Sequence, residues 1–230
     1  MKKRENNFFW PSFADLMTNL FFIMLVLYVL TFISLQNTIR DLQGKQKVYD
    51  QVEQNLKPLQ NDTALFHYEP GLKRFTLAFD VAFERGESEI AVGKLVSYEA
   101  TEKKIHEVGL QLKHTVERLA EDQLRDPDLK KVSWLLIVSG SSSHLASTNQ
   151  FNDYELSYKR AYNLWSYWKT QGINFEAPVY ESLIDLQIAG NGWGGVGRFA
   201  HDSTDNFQVE SRNQRFIIQI VPKIGNTSAK

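Results

Sequence analysis

A single aspartate, Asp15, lies at the start of a long apolar segment of this 230-residue chain. Residues 16–39 carry no charge, and a helix of that length exceeds the roughly 30 Å hydrocarbon core of a bilayer. An ionised carboxylate in that layer costs about 2.5 to 3.5 kcal/mol on insertion scales, so Asp15 should face protein or water. A carboxylate placed in this way can bind and release a proton or a sodium ion. Each charge that crosses 100 mV of membrane potential releases about 2.3 kcal/mol.

Other polar residues accompany Asp15. On a helix, Ser12, Asp15 and Asn19 share one face and Thr18 lies beside them, whereas the opposite face is apolar. A helix surrounded only by lipid has no use for such a stripe, so we expect one or more other helices to cover it. An alternative is that Asp15 only stabilises the start of the helix near the interfacial Trp10, because an acid in a first helical turn interacts favourably with the helix dipole.

The apolar segment is predicted to be a membrane anchor, not a cleaved signal. It is longer than a signal-peptide core, and no small-residue cleavage motif follows it. Basic residues lie on both sides of it, namely Lys2, Lys3 and Arg4 before it and Arg40, Lys45 and Lys47 after it. Since only a short tail of residues 1–9 precedes it, we expect a single-pass inner-membrane protein with a cytoplasmic N-terminus and a periplasmic C-terminal domain.

Composition excludes several classes of function. The length allows one anchor and one globular domain of ordinary size. A net charge of −1 with scattered basic residues gives no footprint for nucleic acid. The absence of cysteine excludes disulfides and thiol catalysis, and is compatible with a periplasmic location.

The segment after the membrane span is predicted to be a helical linker. We assign the transmembrane helix to residues 10–35 and the linker to residues 36–63. A heptad repeat places Leu35, Leu42, Tyr49 and Leu56 on one face, with Val52 and Leu59 at the accompanying positions. This pattern indicates either a parallel coiled-coil seam in a homodimer, ended by Pro58, or a solvated helical stalk.

Residues 64–222 have the pattern of one globular domain, followed by a disordered tail at 223–230. Strands are predicted within 74–83 and at 132–140, 182–190 and 215–222, and helices through 105–119 and at 156–172. Ala161, Leu164, Trp165 and Trp168 are expected to point inward. The order β-α-β-α-β-β predicts an α+β sandwich with helices on one face of a mixed sheet.

Two parts of the chain resemble known families. The string "FWPSFADLMTNLFFIMLVLYVL" resembles the membrane signature of MotB-like B subunits of ion-driven stators. Residues 75–222 resemble an OmpA-like peptidoglycan-binding domain through "FDVAFERGESEI", "VSGSSSH", "DYELSYKRA" and "NQRFIIQIVP".

The resemblance implies a rotary motor. In such motors a homodimer of B subunits passes its single helices through a ring of five MotA/ZorA-like A subunits with four helices each, and ions pass through a carboxylate that corresponds to Asp15. The short tail and linker are most similar to the ZorB group of Zorya anti-phage defence. A flagellar-type stator subunit and a passive membrane-to-wall tether are the alternatives.

The resemblance also implies a set of peptidoglycan-binding residues: Ser143, Asp153, Arg160 and Arg215. Arg160 matches the family arginine, which together with an aspartate holds the diaminopimelate stem. Ser143 replaces that aspartate, Asp153 stands at the family's asparagine position, and Gln214 stands at the first closing arginine with Arg215 retained. Affinity should fall unless Asp153 compensates for the lost charge. The alternative is that Arg160 forms an ordinary ion pair on a helix surface.

Other motifs carry no chemistry. The run "GNGWGG" matches a dinucleotide fingerprint, but no helix follows it. The histidines lack metal-ligand spacing, and "SGSSSH" lacks the glycine pattern of a nucleophile elbow. We therefore expect no cofactor, no metal and no enzymatic activity.

Overall fold

The computed structural model describes residues 9–126, 129, 132–143, 150–193, 196–199 and 210–224. The helices are α1 (Phe9–Asn61), α2 (Tyr98–Arg125) and α3 (Gln150–Thr170). The strands are β1 (Phe66–Glu69), β2 (Arg74–Leu77), β3 (Val132–Gly140), β4 (Ile184–Gly190) and β5 (Phe216–Ile224). Short 3-10 turns occur at Pro70–Leu72, Pro178–Tyr180 and Ser211–Asn213. The predicted α+β class is confirmed.

Helix α1 carries the apolar segment, and the side chains of residues 13–47 are exposed. Within the described part of the chain, Phe13–Asn61 is the one helix long and apolar enough to cross a membrane, judged by its length and composition. The Thr18 hydroxyl donates to the Ala14 carbonyl at 2.8 Å. Because that hydroxyl has its partner inside the helix, Asp15 and Asn19 are, among the stripe residues whose side chains the structure describes, the ones left to contact another molecule.

The chain divides into two compact units, Met1–Lys47 and Val48–Lys230. The second unit therefore starts earlier than the expected boundary at residue 64. Its core includes Val48, Leu56 and Leu59, which are at most 7% exposed. Two positions of the predicted coiled-coil seam thus lie in the core of the same chain, whereas Leu35, Leu42 and Tyr49 are exposed.

Helix α1 does not end at Pro58, the residue at which the predicted coiled-coil seam ends. Helix α1 continues through Pro58 to Asn61, and Asp62 closes the last turn by donating its N–H to the Pro58 carbonyl at 3.2 Å. Burial of Leu56 and Leu59 on either side of the proline holds this turn against the protein.

The five strands form one sheet in the order β1-β2-β5-β3-β4. Strand β5 is antiparallel to both β2 and β3, and β3 is parallel to β4. Leu136 of β3 pairs with Ile220 on one side and Leu186 on the other. The last strand of the chain therefore occupies the middle of the sheet.

The N-terminal strands differ from the prediction. Strand β1 was not expected, and β2 ends at Leu77 although a strand was predicted as far as Phe83. Beyond β2, Phe83 forms only an isolated bridge with Leu95. Its backbone N–H is taken by the Gln214 side chain at 2.8 Å, so the chain here follows a loop across the end of the sheet.

One hydrophobic core joins the helices to the sheet. The predicted helix face is confirmed, since Ile105, Val108, Leu112, Val116 and Leu119 are at most 1% exposed. They share a cluster with Val132, Trp134, Leu136 and Val138 of β3.

On α3, Ala161, Leu164 and Trp168 are fully buried as predicted, and the Trp168 indole donates to the Ile105 carbonyl at 2.8 Å. Trp165 is half-buried, with its indole nitrogen buried, so its predicted inward position is confirmed in part. Its ring also packs against Tyr162.

Some expectations concern residues outside the described part. They are most of the tail at 1–9, the side chains of Ser12 and Val52, and residues 225–230 of the expected disordered tail. The described strand β5 extends to Ile224, beyond the expected domain end at 222.

Candidate ligand-binding site

Three strand ends meet at one edge of the sheet. Because β3 is parallel to β4 and antiparallel to β5, the carboxyl ends of β3 and β4 lie beside the start of β5. Backbone bonds tie them together: Ser141 donates to the Arg215 carbonyl at 2.8 Å, and Ser142 donates to the Gly192 carbonyl at 2.8 Å. In open sheets, ligands commonly bind beyond such strand ends.

Two glycines let α3 lie directly on these strand ends. A Cβ at Gly140 would meet the Ser157 carbonyl oxygen at 2.4 Å, and one at Gly190 would meet the Ser157 hydroxyl at 2.7 Å. That hydroxyl accepts a bond from the Gly192 N–H at 2.9 Å and donates to the Tyr154 carbonyl at 2.8 Å. The first turns of α3 are thereby fixed against the edge.

We expect Gly140→Ala to destabilise the fold. The added methyl group would clash with backbone of α3, which cannot move aside as a side chain can, and overpacking of this kind costs about 1–3 kcal/mol. Gly71→Ala is the matched control, because nothing lies within 4 Å of its Cβ position. Urea unfolding of the full chain should show a lower free energy of unfolding for Gly140→Ala and an unchanged one for Gly71→Ala. Equal stability of the two variants would contradict the close approach of α3 to Gly140.

Arg160 of α3 is a fully buried cation, 1% exposed. Its Nε donates to the Glu87 carbonyl at 3.1 Å, its Nη1 donates to the Ser141 carbonyl at 3.3 Å, and its guanidinium lies 4.5 Å from the centre of the Phe83 ring. Burial lowers the pKa of Arg160 to about 9, against the opposing effect of the Asp153 carboxylate. Arg160 therefore stays charged at neutral pH, and the alternative of a surface ion pair is wrong.

Asp153 and Ser143 lie near Arg160 but differ in character. Asp153 is 2% exposed. Burial lowers the pKa of both Arg160 and Arg198, and the negative charge of Asp153 opposes this shift. Ser143 is half-buried, and its hydroxyl accepts a bond from Gln214 Nε2 at 3.3 Å. The charge of Asp153 is thus balanced by arginines of the same chain.

A buried ion pair fixes the segment before β5. Glu210 is 0% exposed and accepts a bond from Arg198 Nη2 at 2.8 Å. Arg198 Nη1 also donates to the Ser142 carbonyl at 3.3 Å. Asn213 donates to Glu210 at 3.2 Å and accepts the Phe199 N–H at 2.9 Å. Burial lowers the pKa of Arg198, whereas Glu210 acts to raise it.

Arg215 and Arg74 lie on the open side of the edge. Arg215 Nη2 donates to the Gly197 carbonyl at 2.7 Å, and Arg74 Nη2 donates to the Val196 carbonyl at 2.8 Å. Arg74 is paired with Glu69 at 2.9 Å. Burial lowers the pKa of Arg215, Glu69 opposes this shift, and Arg74 adds to it. Among the residues that the structure describes, the buried Nε atom of Arg215 has no hydrogen-bond partner.

A cavity of about 370 Å³ opens between these groups. It is lined by Arg74, Ser139, Ser141, Tyr154, Gly190, Asn191, Val196, Arg215, Ile217 and Gln219. Two arginines and several hydroxyl and amide groups line it, and no carboxylate is among these lining residues. We call it the strand-end cavity. Its chemistry suits a ligand that carries a carboxylate and amide groups.

The structure brings the four predicted peptidoglycan-binding residues to this one edge, but in unequal positions. Arg215 lines the cavity and Arg160 is linked to it through Ser141. Ser143 and Asp153 are not among the lining residues.

Sequence reasoning missed Arg74, Asn191, Arg198 and Glu210. The sequence feature that could have indicated the ion pair of Arg198 and Glu210 is their opposite charge within the polar segment before β5.

Asp15 belongs to the first unit and is exposed on α1. Neighbouring residues of the same face, Thr18 and Asn19, are also exposed. The structure of the single chain therefore leaves this carboxylate accessible to a partner, and the role of Asp15 in ion conduction remains a prediction.

The fold and the site together define an α+β sheet domain that follows a single apolar helix. No family profile matches the chain, and no curated protein matches it.

Three solved structures are similar to it. A putative MotB-like protein from Desulfovibrio vulgaris is 14% identical, with 79% of this chain and 96% of that chain covered and a TM-score of 0.39. An outer membrane protein from Borrelia burgdorferi B31 is 18% identical, with 69% and 98% covered and a TM-score of 0.38. The periplasmic domain of Helicobacter pylori MotB is 17% identical, with 68% and 86% covered and a TM-score of 0.34.

Proposed function

We propose that this chain is a membrane-anchored subunit that binds peptidoglycan through the strand-end cavity. The observation that carries the proposal is the cavity itself: the lining residues that the structure describes include two arginines and no carboxylate, and the cavity lies in a domain that follows a membrane-length helix. Peptide stems of the cell wall offer carboxylates and amides, which arginine and neutral polar groups bind well.

Within this proposal, Arg215 and Arg74 contact the ligand carboxylate and Arg160 positions Ser141. The assignment follows from exposure, because Arg160 is 1% exposed and binds two backbone carbonyls, whereas Arg215 and Arg74 line the cavity. Asn191 and Tyr154 are placed to bind the neutral groups of the ligand.

We further propose that the chain is the B subunit of an ion-driven rotary motor. Two copies would pass their α1 helices through five A subunits, with Asp15 accepting and releasing a proton or sodium ion. A carboxylate on an otherwise apolar, exposed helix supports this role, since such a residue is stable in a bilayer only beside protein or water. The short linker after the apolar segment supports the further proposal that this motor takes part in Zorya-type anti-phage defence.

Retention on purified peptidoglycan sacculi tests the binding function. We expect the full chain in detergent to co-sediment with sacculi, and Arg215→Gln to weaken retention about tenfold, because a charge-assisted hydrogen bond is worth roughly 1.5–3 kcal/mol. Glutamine keeps the aliphatic part of the side chain and removes the charge, and because its amide is shorter than the guanidinium it also gives up the bond to the Gly197 carbonyl.

Arg125→Gln is the matched control for Arg215→Gln, because Arg125 is an exposed arginine at the end of α2. It should be retained as well as the wild type. Equal retention of Arg215→Gln and the wild type would contradict a role for the cavity, and no retention of the wild-type chain would contradict peptidoglycan binding altogether.

A further inference from the structure

Three tyrosines form a stripe along the exposed face of α3. Tyr154, Tyr158 and Tyr162 follow one another at intervals of four residues, so they lie on one side of the helix. Each is 45–46% exposed. We call them the tyrosine stripe. Half-exposed aromatic residues in a continuous row on a helix commonly mark a contact surface.

The rings of the stripe are held in place by their neighbours. The Tyr158 and Tyr162 rings are stacked with centroids 6.4 Å apart and an interplanar angle of 27°, and Tyr162 packs on Trp165 at 5.3 Å. Lys169 lies 4.6 Å over the Trp165 ring. Trp165 and its lysine therefore close one end of the row, and the three tyrosines are the rings open to a partner.

The surroundings of the stripe favour an uncharged partner. Lys159 is paired with Glu155 at 2.7 Å, and Lys169 is paired with Glu176 at 3.4 Å. The charges nearest to the stripe are thus balanced by charges of the same chain. What the stripe itself offers is apolar ring faces with phenolic hydroxyls at their edges.

The stripe begins at the strand-end cavity. Tyr154 lines that cavity together with Asn191, and its ring atoms lie 3.0 Å from the Cβ position of Gly192. From Tyr154 to Tyr162 the helix rises about 12 Å. A ligand held in the cavity can therefore continue along the stripe without a break.

We propose that the tyrosine stripe binds the glycan strand of the cell-wall polymer while the strand-end cavity binds its peptide. This inference rests on the proposed peptidoglycan-binding function. A pyranose ring has an apolar C–H face and a rim of hydroxyls, which matches the negative face of an aromatic ring and the tyrosine hydroxyls. Three identical side chains at a regular interval also match a ligand that is itself a repeat of uncharged sugar units.

A sugar chain that carries no peptide distinguishes binding at the tyrosine stripe from binding in the strand-end cavity. The probe is the β-1,4-linked tetramer of N-acetylglucosamine, titrated against the full chain by saturation-transfer NMR in a detergent without a sugar headgroup. We expect the wild type to bind, and the double variant Tyr158→Ala/Tyr162→Ala to bind about tenfold more weakly. Tyr158→Phe/Tyr162→Phe should keep most of the affinity, since it keeps both rings.

Tyr49→Ala is the matched control, because Tyr49 is 50% exposed on another helix; it should bind the tetramer as the wild type does. Wild-type retention on sacculi without binding of the tetramer would overturn the glycan site and leave the peptide function standing. Failure to bind sacculi at all would overturn both. A double alanine variant that binds the tetramer normally, or that only loses self-association, would also overturn the inference.

Discussion

Asp15→Asn is expected to abolish the output of the motor while leaving membrane insertion and retention on sacculi unchanged. Asparagine has nearly the same shape as aspartate and makes similar hydrogen bonds, but it cannot ionise or carry a proton. The measurement is ion flux into vesicles that contain the chain and its membrane partner, together with protection of cells from phage. Flux should fall to the background of empty vesicles.

Asp41→Asn is the matched control for Asp15→Asn. Asp41 is also an exposed acid on α1, but it lies beyond the apolar segment, so flux should stay at the wild-type level. The alternative that Asp15 only stabilises the helix start is not supported, because α1 begins at Phe9 and its first turn holds no acidic residue. Full flux and full protection with Asp15→Asn would contradict the motor and leave a passive tether between membrane and wall.

Glu210→Ala is expected to cause the largest loss of stability in the globular unit. Glu210 is fully buried, and its removal takes away the carboxylate that pairs with Arg198 at 2.8 Å, which leaves the more distant Asp153 charge to act on that arginine. Breaking a buried pair in this way costs roughly 3–5 kcal/mol. It also removes an acceptor for Asn213, which binds the backbone of Phe199. Urea unfolding of the full chain, followed by near-ultraviolet circular dichroism, would measure the difference.

The double variant Glu210→Ala/Arg198→Met is the control for this prediction. Removing both charges leaves no uncompensated cation, so it should recover a large part of the stability lost in Glu210→Ala. The prediction is wrong if Arg198→Met lowers the stability of the Glu210→Ala variant by as much as it lowers the stability of the wild type. In that case the two charges are not coupled.

Much of the fold could be predicted because its elements carry strong local signals. Helix α2 shows five apolar residues on one face, and strands β3, β4 and β5 are apolar runs bounded by polar loops. Strand β1 lacks such a signal, since it has four residues with His67 exposed and only Phe66 fully buried. The loop after β2 was misread because the alternation of "LAFDVAF" continues there, although its partner is the Gln214 side chain instead of a neighbouring strand.

The site was predictable only where a motif marked it. Arg160 and Arg215 were found through the family resemblance, and the structure brings them to the same edge. Arg74 could not be found in this way, because its bond to the Val196 carbonyl joins residues 122 positions apart. The pairing of Arg198 with Glu210 likewise depends on a loop path that no periodic pattern encodes. The sequence also could not predict the burial of Arg160, since it does not show that this side chain donates its hydrogen bonds to backbone carbonyls.

The central place of β5 in the sheet has a consequence for biogenesis. Strand β5 pairs with both β2 and β3, so the β1–β2 pair and the β3–β4 pair cannot join into one sheet until residues 216–224 have left the ribosome. Long-range pairing of this kind is slow to form. Closure of the sheet should therefore wait for the synthesis of β5, and under the proposed location of the globular unit beyond the membrane this delay would keep the chain competent for export in an extended form.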